Sequence, residues 1–185
     1  MEETWRFWSP MTTKKEPFCC TSRIWASVQL TTLAVALGVL LGIPMGVYAA
    51  AREGKLADRV ISSLAIVGQS IPVFWLGLML VLFFAIKLSW LPAGLAGGWQ
   101  NLVLPSVTLA TIPLARVARL TRAAMTNTLE DQYIIAAKAR GLSRKRVLFV
   151  HALKNASLPV VTLIGLQIGT LLSGAITVET VFAWP

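Results

Sequence analysis

Long apolar runs alternate with short polar stretches along these 185 residues. Residues 24–51 are 28 positions without a formal charge, residues 60–86 another 27, and residues 155–178 a further 24. A fourth run, 102–121, carries cations only toward its end, at Arg116 and Arg119. About 20 apolar residues in a helix cross the hydrocarbon core of a bilayer. The pattern therefore predicts an all-α, polytopic membrane protein with transmembrane helices at 24–51, 60–86, 102–121 and 156–178. Residues 1–23 show neither a helical apolar period nor a compact cleavage site, and are expected to be a poorly ordered tail.

Within the runs, Gly38, Gly42 and Gly46 recur every fourth residue, with Ala34 extending the row, and Gly165, Gly169 and Ser173 repeat the device. Such residues share one helix face and let another backbone approach closely. They are candidate packing ridges, the first facing a partner membrane subunit; the bland alternative is that glycine is common in spans. Pro44 should kink the first helix. Gly68-Gln69-Ser70-Ile71-Pro72 interrupts the second run. Polar groups beside a proline at that depth either face a watery path or satisfy the carbonyls that the kink frees. Gln69 and Ser70, with Gln167 in the last run, are the candidate path residues. Residues 87–100 read as a loop from their glycines and proline. Arg116, Arg119 and Arg122 follow one helical face and are expected at the exit of the third span, snorkelling to headgroups.

The stretch 131–159 is polar and basic, and it lies between spans. Its periodicity predicts two short helices broken at Gly141, where glycine permits a helix-ending backbone, with Ser143 able to cap the second. Arg144, Lys145 and Arg146 would open that second helix, where the dipole disfavours cations. Either something acidic faces them, an acidic protein rim or anionic headgroups, or they form a solvated turn.

Composition supports the membrane reading, with 56% hydrophobic and 14% charged residues. The net charge of +9 does not point to nucleic acid, because nine of the 17 cations cluster between Arg116 and Lys154, in and beside a loop flanked by spans. The adjacent Cys19 and Cys20 offer neither an unstrained disulfide nor a metal cage. No GxxxxGK[ST] phosphate cradle occurs, and His151 is the only histidine, so no cofactor, metal site or catalytic residue is expected and the chain reads as a non-enzyme. Three of the four runs contain no Asp, Glu, Lys or Arg, which weighs against an ion-coupled carrier. A membrane-anchored basic scaffold is the other reading of the loop.

The basic stretch resembles the EAA loop of the membrane subunits of binding-protein-dependent ABC importers, in the variant of the dipeptide, oligopeptide and nickel permeases. Tyr133, Ile134, Ala137, Ala139, Gly141, Leu142, His151, Ala152, Leu153, Asn155, Ala156 and Pro159 fall on that pattern, and Lys138, Arg140 and Lys154 preserve its charge. Ile135 and Ala136 stand where the family has Arg and Thr. Residues 68–78 and the final ETVFAWP also resemble that family. The resemblance implies a type I importer permease fold, with residues 24–185 as the transmembrane domain and 122–155 as a cytoplasmic coupling loop. It also implies one further span on the N-terminal side of about Thr21 and one beyond Pro185.

By the same resemblance, Asp131, Tyr133, Ala136, Ala137, Lys138, Ala139, Arg140, Gly141, Leu142, His151, Asn155 and Pro159 would meet a separate ATP-binding subunit. A second homologous permease subunit, an extracytoplasmic substrate-binding protein and the lipid bilayer would be the other partners. Di- or oligopeptides are the implied cargo, with nickel, glutathione or oligosaccharide as alternatives, and the implied location is the inner membrane. Orientation follows independently from cations concentrated at 52–59 and 116–154, which places those loops inside. Trp25, Trp90, Trp99 and Trp184 would mark the opposite interface.

Overall fold

A computed structural model describes residues 17–89 and 99–181 of the chain, and every regular element among them is helical. The first run folds as α1 (Pro17–Ala51). Residues 17–23, expected to belong to the tail, are therefore part of this helix. The remainder of that tail lies outside the described residues.

The second run is not one straight span. α2 (Leu56–Ser70) and α3 (Val73–Leu80), which continues as π-helical turns through Val81–Lys87, meet at a bend of 99°. Pro72 supplies no N–H and pushes the preceding residue out of the helical region, and Ile71 is extended at φ −80° and ψ 125°. Each arm has 15 residues, a rise of about 22 Å, against a hydrocarbon core of about 30 Å. The interruption expected at 68–72 is thus a sharp bend that divides the span expected over 60–86 into a pair of helices.

α4 (Trp99–Glu130) runs nine residues beyond the end expected at 121. It is followed by α5 (Gln132–Ala139) and α6 (Arg144–Arg146). Val147 and Leu153 keep right-handed helical angles, so α6 passes through the π-helical Val147–Ala152 into α7 (Leu153–Val181) without a break. The second helix of the elbow is thus the start of the last span, and the loop expected at 122–155 is helical except at residue 131 and residues 140–143. Among the described residues three helices are long and apolar enough to cross a membrane, or four if the bent pair counts as one span.

α1 lies against α4 along the first glycine row. A methyl carbon placed on Gly38 would stand 2.9 Å from Pro113 and the Leu114 nitrogen, and one on Gly46 would stand 2.6 Å from the Ala118 carbonyl oxygen and from Thr121. Gly42 faces Leu114 and Val117 at 3.0–3.1 Å. This ridge faces a helix of its own chain, not a partner subunit as expected. Gly165 and Gly169 have nothing within 4 Å, so the second row packs against no described residue. One core cluster joins Leu30 and Ala34 of α1, Leu104, Leu109 and Ala110 of α4, and Leu171 and Val178 of α7. A second, at the elbow end, joins Val47, Ala50, Met125, Ile134, Val147, Leu148, Ala152 and Ala156. Trp90 and Trp184 lie outside the described residues, as do the last four residues of the ETVFAWP stretch.

Candidate functional site: an exposed elbow and a cationic cleft

The elbow is built from the turn that ends α5. Gly141 has φ +79°, a left-handed conformation that side chains with a Cβ resist. The Leu142 N–H donates to the Ala137 carbonyl and the Gly141 N–H to the Lys138 carbonyl, the paired bonds of a Schellman motif. Ser143 occupies the N-cap position of α6, yet its hydroxyl makes no capping hydrogen bond, so its contribution is the extended backbone (φ −61°, ψ 145°).

One residue pins the turn to the bundle. Ile134 is fully buried among Met125, Val147, Leu148 and Ala152, while its neighbours on α5 face outward. Asp131, Tyr133, Ala136, Lys138, Ala139, Arg140, Gly141, Asn155 and Pro159 are exposed, and Ala137, Leu142 and His151 are half-buried. Asn155 donates to the Tyr133 hydroxyl at 2.6 Å, joining the two arms. Arg144 donates to the Ala51 carbonyl at 2.6 Å. Ala51 ends α1, where carbonyls lack partners and the dipole is negative, so this cation finds its counter-pole inside the chain. Lys145 and Arg146 remain exposed.

A second constellation lies between α2, α4 and α7. Arg116 donates to Gln167 Oε1 at 2.7 Å, and Arg119 donates to Gln69 Oε1 at 2.8 Å. Arg122 makes a bidentate ion pair with Asp58, including a bond from its Nη2 to Oδ2 at 2.8 Å. The Asp58 carboxylate also accepts from the Gly54 N–H at 3.1 Å and the Ser62 hydroxyl at 3.4 Å. The three arginines expected to snorkel outward at a span exit are therefore turned toward neighbouring helices. Because α4 continues to Glu130, Arg116 sits some 21 Å of helix rise from that end, opposite Gln167 at the middle of α7. An arginine at such depth costs about 2.5–3.5 kcal/mol on insertion scales, so it must face protein or water.

Arg116, Arg119, Arg122 and Gln69 line a cleft of about 570 Å³ with Ser62, Ile66 and Leu163, while Gln167 and Asp58 lie buried behind it. Gln69 borders the cleft, whereas the Ser70 hydroxyl donates to the Ile66 carbonyl at 3.0 Å and closes its own helix end. Gln167 is buried; its oxygen takes the Arg116 bond while its Nε2 finds no partner among the described residues. Asp58 was missed by sequence reasoning. Its signal was scarcity, since it is the only carboxylate between Gly54 and Leu129 and four arginines share that interval.

A family model described as "Binding-protein-dependent transport system inner membrane component" matches residues 42–185. The di/tripeptide transport system permease protein DppB of Pseudomonas aeruginosa (strain UCBPP-PA14) is 38% identical over 188 aligned positions, covering 86% of this chain and 56% of that protein. The dipeptide transport system permease protein DppB of Escherichia coli (strain K12) is 39% identical, covering 88% and 57%. The glutathione transport system permease protein GsiC of the same strain is 41% identical, covering 89% and 54%. The chain thus spans little more than half the length of these relatives. A crystal structure of an amino acid ABC transporter superposes with a TM-score of 0.61 at 22% identity, covering 84% of this chain and 68% of that one, a likeness of fold.

Proposed function

Because this chain belongs to the family of binding-protein-dependent transport system inner membrane components, we propose that it is the permease subunit of an ATP-driven importer of di- and oligopeptides. The observation that carries this reading is the elbow. An exposed, glycine-terminated turn is held on the bundle by Ile134 and by the Arg144–Ala51 bond, leaving a small-residue surface at Ala136, Ala137 and Ala139 free for a partner. A separate ATP-binding subunit grips that surface, and closure of two such subunits moves the attached helices between inward and outward access. The chain carries no ATPase site of its own. A second homologous permease subunit and an extracytoplasmic substrate-binding protein complete the assembly in the inner membrane.

Di- or tripeptides are the cargo named for relatives that cover most of this chain. Glutathione, named for another, is the second reading for cargo.

Disulfide crosslinking tests the elbow. A cysteine at Lys138 should join a cysteine in the groove of the ATP-binding subunit, with ATP changing the yield. Absence of any crosslink in a complex that hydrolyses ATP and carries peptide would remove the elbow from the coupling role.

A further inference from the structure

Arg116 and Arg119 present two cations to the cleft between α2, α4 and α7, each held by the oxygen of a neutral amide rather than by a carboxylate. Among the described residues the ion pair is Arg122 with Asp58, so Asp58 is already engaged. An amide oxygen orients a guanidinium without neutralising it. The cleft therefore keeps a positive charge that no carboxylate of the described residues neutralises. Arginine retains its proton throughout, so this pair does not serve proton coupling. The two side chains lie three residues apart on one helix, within reach of a single planar anion. A volume of about 570 Å³ suits a molecule of dipeptide size.

We infer that Arg116 and Arg119 form a carboxylate station in the translocation path. The substrate's free C-terminal carboxylate takes the guanidinium hydrogen bonds while Gln69 and Gln167 release them and hold the arginines again after it leaves. The inference rests on the peptide-permease reading and names the group that this cleft recognises.

The test uses the assembled importer in proteoliposomes, with a cysteine at Ala123, which lines the cleft, and with Cys19 and Cys20 replaced by serine. The rate at which an anionic thiosulfonate labels that cysteine is measured alone, with a dipeptide, and with its C-terminal amide. The dipeptide should slow labelling at about tenfold lower concentration than the amide, the worth of one charge-assisted hydrogen bond over a neutral one. Arg116→Gln with Arg119→Gln should erase that difference, and Arg116→Lys with Arg119→Lys should keep most of it.

Equal protection by acid and amide in the unaltered complex overturns the station, and this comparison does not depend on the arginine variants assembling. An acid–amide difference that survives the double glutamine change also overturns it, leaving the arginines as struts between helices. ATP-driven dipeptide uptake separates the two levels. With uptake but equal protection, the station falls and the permease reading stands. With no uptake of any peptide, the permease reading falls and the station falls with it.

Discussion

Asp58, in the first turn of α2, and Arg122, on α4, hold each other across 64 residues of chain through two parallel hydrogen bonds. The carboxylate is almost fully enclosed, with its side chain 6% exposed, while the guanidinium is 32% exposed. That asymmetry decides what each substitution does. Arg122→Gln leaves a buried carboxylate without its counter-ion, with only the Gly54 and Ser62 bonds remaining, and should destabilise the fold by about 3–5 kcal/mol. Asp58→Asn leaves the cation with access to water and should cost less, and combining the two should recover part of the loss. Thermal unfolding of the detergent-solubilised protein measures all three; strictly additive effects would show the pair to be uncoupled.

The two glycine rows should respond oppositely. Gly46→Ala places a methyl 2.6 Å from backbone and side-chain atoms of α4, so α1 must shift, at about 1–3 kcal/mol. Gly165→Ala meets open space within the chain and should leave its folding unchanged. Comparing unfolding midpoints of the isolated subunit separates the rows.

At Gly141 the left-handed backbone should tolerate Asn better than Val, because a β-branched residue at positive φ carries strain of at least about 1–2 kcal/mol. Both variants should insert in the membrane. In the assembled importer, substrate-stimulated ATP hydrolysis should fall more for Gly141→Val than for Gly141→Asn.

Ile134→Ala should loosen α5 from the bundle, since truncating a buried isoleucine typically costs about 2–5 kcal/mol. The expected sign is faster tryptic cleavage after Lys138 and Arg140, which are already exposed. Unchanged cleavage kinetics would mean that the elbow is held by its polar bonds alone.

The turn at Gly141 was legible because a lone glycine stands among helix formers. The α1 ridge was legible because its period of four has one helical meaning, though not which helix it meets. Proline marked the break before α3 but carried no information about the 99° angle, which depends on where both arms find packing. The length of α4 misled because polarity after Thr121 resembles a loop. The absence of Gly or Pro between Pro113 and Gly141 was the stronger signal. Misplacing that helix end placed Arg116 and Arg119 at the membrane surface and hid their acceptors. No local pattern links Asp58 to Arg122, since the contact exists only after two helices have packed.

The hydrogen bond from Arg144 to the last carbonyl of α1 has a mechanical meaning. Together with the seating of Ile134 and the tight seam of α1 on α4, it rivets elbow, first helix and fourth helix into a single stiff frame. If an ATP-binding subunit grips the turn as proposed, its thrust would move that frame as a unit instead of dissipating in local flexing. The angled arm of α2 and α3 joins that frame through polar links at Asp58 and Gln69, so its attachment, unlike the seam of α1 on α4, depends on single side chains.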